Sequence, residues 1–172
     1  SLDHLTEGRV GFNVVTSYLP SAAENQGLPT QIPHDERYEI ADEFLDVCYK
    51  LWEGSWEDGA VVKDRERGVY ADPSKVHPIG HKGKYFSVPG ISLTEPSPQR
   101  TPVIFQAGAS SRGQKFSGKH AEAVFISALR PDLTRVVTDR IRASAEEQGR
   151  SRDDVKILAM LSVIVDETEE KA

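Results

Sequence analysis

Thr101 to Gln114, TPVIFQAGASSRGQ, is the stretch on which the fold turns. Val103, Ile104 and Phe105 form a short β-prone run, Gly108 and Ala109 supply a small-residue turn, and Ser110, Ser111 and Arg112 open a polar segment. This order predicts a strand over 101–107 and a helix over about 111–120. A strand passing straight into a helix leaves unpaired backbone N–H groups at the junction. With two hydroxyls and a guanidinium beside them, those amides favour an anion through both hydrogen bonding and the helix dipole. The local pattern is a phosphate cradle in outline.

Other chemistries compete for the same residues. Gly108 and Gly113 have the spacing of the two P-loop glycines, but Gln114 and Lys115 stand where that motif needs Lys and then Ser or Thr. Gly108 to Ser111 begins like a nucleophile elbow, yet Arg112 replaces its closing glycine, and a hydrolase built on Ser110 needs a His and an acid that the sequence does not place. A strand-to-helix turn with a serine cap and nothing bound also satisfies the pattern.

Working outward, Arg9 to Ser17 (RVGFNVVTS) is rich in β-branched residues without clean alternation, which predicts a strand buried on both faces, with its polar exit at Asn13 to Ser17. Residues 18–33 carry Pro20, Asn25, Gly27, Pro29 and Pro33 and read as a loop. His34 to Glu53 is the strongest helix pattern: acids crowd its first turn, and Tyr38, Ala41, Phe44, Leu45, Cys48, Leu51 and Trp52 give one apolar stripe, with Gly54 as stop. Residues 55–100 lose periodicity, with a short strand candidate over 84–88, and read as an ordered functional insertion suited to a lid. Downstream, Ala123 to Ser127 predicts a short buried strand. Pro131 to Gln148 predicts a helix with Leu133, Val136, Val137 and Ile141 on one side, and Val155 to Val165 a last strand.

Strands alternating with helices predict an α/β fold with parallel pairing and right-handed crossovers. Four such strands suit either half of a (β/α)8 TIM barrel or part of an open doubly wound sheet. In both, ligands meet the carboxyl ends of the strands, where Asn13, Ser17, Ser110 and Ser111 fall. SLDHLTEG reads as the tail of a helix stopped at Gly8, and 166–170 as a helix start, so both ends read as cut, which favours the barrel. The 172 residues are expected to form one domain.

A net charge of −6 with interleaved bases argues against a nucleic-acid partner. The absence of an apolar run of roughly 20 residues argues against a membrane span, and the expected location is the cytoplasm. The single cysteine, Cys48, lies on the apolar helix face and is expected to be a buried, inert thiol. His34 and Tyr38, four apart, share a face of the helix's first turn and would offer an imidazole and a phenol to a ligand over the strand ends; a capping His and a core Tyr fit as well. His77 and His81 are also four apart, but Pro78 and Gly80 break a helix between them, so they read as solvated loop histidines and no metal site is expected. Lys63 to Arg67 reads as solvated surface.

Four blocks, SLDHLTEGRVGFNVVTS, HDERYEIADEFLDVCYKLWEGSW, ADPSKVHPIGHKGKYFSVPG and PSPQRTPVIFQAGASSRGQKFSGKHAEAVF, resemble the bacterial-luciferase-like flavin monooxygenases. The likeness is to the group that includes nitrilotriacetate, dibenzothiophene-sulfone, dimethyl-sulfide and long-chain alkane monooxygenases. The resemblance implies a partial TIM barrel, about strands 4 to 7, with the insertion between the first helix and the second strand of the chain. It implies reduced FMN as co-substrate, delivered by a separate NAD(P)H-dependent flavin reductase. O2 would add to the flavin as a hydroperoxide and oxygenate a small organic substrate, an amine, sulfur compound or alkane. Carried over by position, the flavin contacts fall on His34, which is also the candidate catalytic residue, and on Tyr38, Ser110 and Ser111, with Asn13 under the flavin ring and Arg112 as a supporting charge. A homo-oligomer is compatible with the resemblance, and so is a non-catalytic flavin- or phosphate-binding relative.

Overall fold

The computed structural model describes residues 1–127, 130–161, 163–168 and 170–171. The chain divides into two compact units, Ser1–Val103 and Ile104–Ala172.

The first unit opens with the short helix α1 (Leu2–Leu5), closed by Gly8 at φ +80°, a left-handed position where glycine costs nothing. Leu2 and Leu5 are exposed, and the buried residue of this turn is Asp3. Its carboxylate accepts from the Gln99 amide at 3.1 Å and from Gln99 Nε2 at 2.6 Å. Burial opposes ionisation of Asp3, but hydrogen bonds from Ser97, Gln99 and Val10 outweigh it and hold the carboxyl at about 2.

Strand β1 spans only Gly11–Asn13, shorter than expected, and Val14 is buried while Gly11, Asn13 and Val15 are exposed. Burial on both faces is therefore not found. The following segment is not wholly loop either: Pro20–Asn25 forms α2 with Pro at its first helical position, where a missing N–H is no loss.

Helix α3 (His34–Tyr49) has Asp35 and Glu36 in its first turn, where negative charge complements the dipole. Tyr38, Ala41, Leu45, Val47 and Cys48 are buried. Burial also pushes the Cys48 thiol up to about 11, which suits an inert packing residue. The helix ends in a π-helical turn, Lys50–Gly54. Arg100 closes that end, donating from Nη1 to the Trp56 carbonyl at 2.8 Å and from Nη2 to Asp58 at 2.7 Å.

Residues 55–100 hold two antiparallel hairpins, β2 (Val61–Asp64) with β3 (Val69–Ala71) and β4 (His81–Lys82) with β5 (Ser87–Val88). The expected strand over 84–88 is realised only as β5. Its anchor on α3 is Glu43, whose carboxylate accepts from the Tyr85 amide at 2.9 Å, the Phe86 amide at 2.7 Å and His81 Nε2 at 3.1 Å.

The second unit begins from β6 (Val103–Gln106) and continues through α4 (Ser111–His120), β7 (Ala123–Ile126), α5 (Pro131–Glu147) and β8 (Lys156–Ala159). β6 pairs parallel with β7, and β7 parallel with β8 in the register Ala123 to Lys156 through Ile126 to Ala159. The fold is thus α/β with a parallel sheet. Ala121, Val124, Ile126, Ile141, Ala145 and Val155 form the core between β7, α5 and β8. Leu133 and Val136 of the expected apolar side of α5 are about half exposed. The last strand stops at Ala159, six residues short of expectation, and Ser162 and Glu169, in the expected strand and helix start, lie outside the described residues.

Candidate functional site

The turn between β6 and α4 is built around Gln106. Its buried side-chain oxygen accepts from the Gly108 amide and from Ser117 Oγ at 2.7 Å. A buried amide oxygen satisfied by the turn on one side and the helix on the other fixes how the strand enters the helix. Ser110 is the N-cap, its Oγ accepting from the Gly113 amide at 3.0 Å. Ser111 follows as the first helical residue and is exposed, and Arg112 lies beside it in the first turn. Ser110, Ser111 and Arg112 are therefore brought together at one helix start, as expected. Ser110 Oγ acts as a capping acceptor, and its O–H remains a donor.

In the first unit, His34 and Tyr38 come together at the first turn of α3, their rings edge to face with centroids 5.2 Å apart. Tyr38 is buried at 4% exposure, whereas His34 is exposed, its Nδ1 2.6 Å from the Asp35 carboxylate. Tyr38 thus lies in the core, as the packing reading of the pair expects, while His34 keeps an accessible imidazole. Asn13, exposed at the end of β1, lines a different feature, a cavity of about 450 Å³ at the strand's carboxyl exit.

Arg37, one turn into α3, borders that cavity and donates from Nη1 to the Ser17 carbonyl. Ser17 sits at φ +62°, an uncommon conformation for a residue with a Cβ. Sequence pattern gives Arg37 no distinction, because it lies within a run of charges. Only the return of the chain after β1 brings Ser17 to it.

The expectation for His81 is corrected. It is buried at 7% exposure rather than solvated, because β4 carries it against α3. Lys50 Nζ lies 3.0 Å from His81 Nδ1. A lysine only donates, so Nδ1 accepts and Nε2 carries the hydrogen facing Glu43. Burial works against ionisation of Glu43, yet the hydrogen bonds from His81, Tyr85 and Phe86 outweigh it and bring the carboxyl to about 2. His77 is exposed, as expected, and pairs with Glu57 at 2.6 Å. Lys63 and Arg67 lie on the β2–β3 hairpin, paired with Glu95 and Asp64. Among the described residues, no cluster of His, Cys, Asp and Glu suits a metal ion, and no helix is long and apolar enough to cross a membrane.

The family model for luciferase-like monooxygenases matches residues 1–172. Dimethyl-sulfide monooxygenase of Hyphomicrobium sulfonivorans is 59% identical over 172 residues, all of this chain and 36% of that protein. Long-chain alkane monooxygenase of Geobacillus thermodenitrificans is 56% identical over 172 residues, again all of this chain and 39% of the relative. Among solved structures, riboflavin lyase with modified FMN and riboflavin superposes with a TM-score of 0.91 at 45% identity, covering 99% of this chain and 38% of the other. The chain thus spans less than two fifths of the length of each of these proteins.

Proposed function

The chain belongs to the luciferase-like monooxygenase family, and we propose that it is part of a two-component, FMNH2-dependent monooxygenase. In this reading its parallel strands supply about the fourth to seventh of a (β/α)8 barrel, and residues 55–100 form a lid that keeps water from the site. A separate NAD(P)H-dependent reductase delivers the reduced flavin, and the substrate is a small amine, sulfur compound or alkane. The names of relatives, among them dimethyl-sulfide, long-chain alkane and nitrilotriacetate monooxygenase, support that range.

The observation that carries the proposal is the helix start at Ser110. A ten-residue helix following directly on a parallel strand presents its first turn with Ser111 exposed and Ser110 holding the cap. Such a terminus takes a phosphate through its first amides and the dipole, and the Ser110 O–H and Ser111 hydroxyl fit as further donors. When bound, reduced FMN supplies the electrons that activate O2. His34 and Tyr38 would hold the flavin from α3, the exposed imidazole as the group able to hold or move a proton and the buried phenol from behind it. Asn13, at the exit of β1, would serve the flavin ring, and Arg112 would add positive charge for the phosphate.

Ser111→Asp in the full-length protein tests the assignment, because it places a negative charge at the proposed phosphate site while leaving the Ser110 cap in place. Titration should show FMN affinity falling by about tenfold or more, the scale of a lost charge-assisted hydrogen bond, with riboflavin affinity unchanged. Equal effects on FMN and riboflavin, or none, would refute it.

A further inference from the structure

Along β6 the side chains of Ile104 and Gln106 fall on one face of the strand, and both are buried, at 2% and 3% exposure. That alternation calls for a second apolar residue at 106. An amide stands there instead, and burying one is tolerable only where it is hydrogen-bonded. Its Oε1 takes two donors, the Gly108 amide from the turn and the fully buried Ser117 hydroxyl from α4 at 2.7 Å. Two further side chains hold the same turn from the helix. Gln114 Nε2 donates to the Ala109 carbonyl at 3.0 Å, and Ser110 Oγ accepts from the Gly113 amide. The turn is thus fixed on its buried side by one oxygen, while Ala107, Ala109 and Ser111 stay exposed on the other.

Two properties of that oxygen bear on an anion at the helix start. It engages the Gly108 N–H, so the peptide planes leading to the Ser110 cap are oriented before a ligand arrives, and a site ordered in advance loses less freedom on binding. It is also uncharged. A carboxylate at 106 would accept the same two bonds, and more strongly, but would set a buried negative charge behind the helix terminus that an anion must approach.

We propose that Gln106 is a positioning residue for the phosphate site: it supplies the buried acceptor that fixes the turn, and it does so without a charge that would repel the phosphate. It acts through Gly108 and Ser117 and does not itself need to touch the ligand. The proposal rests on the reading of the Ser110 helix start as the FMN phosphate site.

The test is fluorescence titration of the full-length protein with FMN and with riboflavin, which differ only in the phosphate. The readout is the ratio of the two affinities, because general loosening of the fold lowers both together. Gln106→Glu, which keeps the acceptor and adds the charge, should reduce the preference for FMN by about tenfold or more. Gln106→Met, which fills a similar volume without an acceptor, should reduce it by about tenfold, and Ser117→Ala, which removes one donor, by about threefold, the scale of one hydrogen bond. Amide exchange at Gly108 should quicken in Gln106→Met and stay slow in Gln106→Glu, separating lost positioning from added charge. An unaltered ratio in either Gln106 variant, or FMN and riboflavin affinities falling in parallel, would overturn the proposal; should neither variant fold, an unaltered ratio in Ser117→Ala would do so. An unaltered protein that binds riboflavin as tightly as FMN would overturn the phosphate reading and this proposal with it. A preference lost in Ser111→Asp but indifferent to Gln106 would overturn this proposal alone.

Discussion

His34 and Ser110 stand in opposite situations at the ends of their helices. Ser110 caps α4 through Gly113, so removing its hydroxyl would weaken the helix start and any phosphate contact together. Ser111 separates the two effects because it is exposed and bears no cap. His34 packs its ring edge against Tyr38 and turns Nδ1 to Asp35. His34→Ala should therefore leave stability within about 0.5 kcal/mol, as for an exposed substitution. With the reductase and a substrate supplied, oxygenated product should fall and released hydrogen peroxide rise. Normal coupling in a peroxide assay would reduce His34 to a surface residue. Gly83 illustrates a different constraint: a Cβ there would lie 2.0 Å from Glu43 Oε1, so Gly83→Ala should displace the carboxylate that holds the β4–β5 hairpin. Faster amide exchange at Tyr85 and Phe86 would report the displacement.

Two helix contacts decide how the elements are held. α4 and α5 approach so closely that a Cβ on Gly118 would meet the Ser144 backbone carbon at 2.6 Å and the Ala145 nitrogen at 2.8 Å. Backbone cannot swing aside as a side-chain tip can, so Gly118→Ala should cost about 1–3 kcal/mol, typical of overpacking. Urea unfolding would measure it, and an unchanged midpoint would mean the helices can separate freely. Arg100 ties the π-helical end of α3 to Trp56 and Asp58. Arg100→Ala should lower stability by about 1.5–3 kcal/mol, the scale of hydrogen bonds to a charged group, with the same measurement as its check.

For the molecule as a whole, acid is the informative variable. Glu43 and Asp3 both titrate at about 2, against ordinary values of 4.5 and 3.8, and both lie in the first unit. A carboxyl whose folded value is depressed contributes stability that is fully present above its unfolded value and lost as pH falls through the folded one. Stability should therefore decline from about pH 5 toward pH 2, and Glu43→Gln should flatten that slope in thermal melts taken across the range. An unaltered slope would show that the Glu43 network does not couple to folding.

The sequence by itself determined the elements whose signal is local. Ser111–His120 begins and ends as the pattern of Thr101 to His120 predicts, and α3 begins at His34, because caps, first-turn charges and apolar spacing act within a few residues. It determined the family as well, through blocks that keep their order along the chain. What only the tertiary structure decided depends on residues far apart in sequence. Asp3 is buried because Gln99 reaches it, His81 because Glu43 and Lys50 enclose it, and Arg37 gains meaning from Ser17, twenty residues earlier. Asp3 and His81 are polar groups whose burial is tolerable only with a partner, and in all three cases the partner is set by how the chain returns on itself, which no local spacing records.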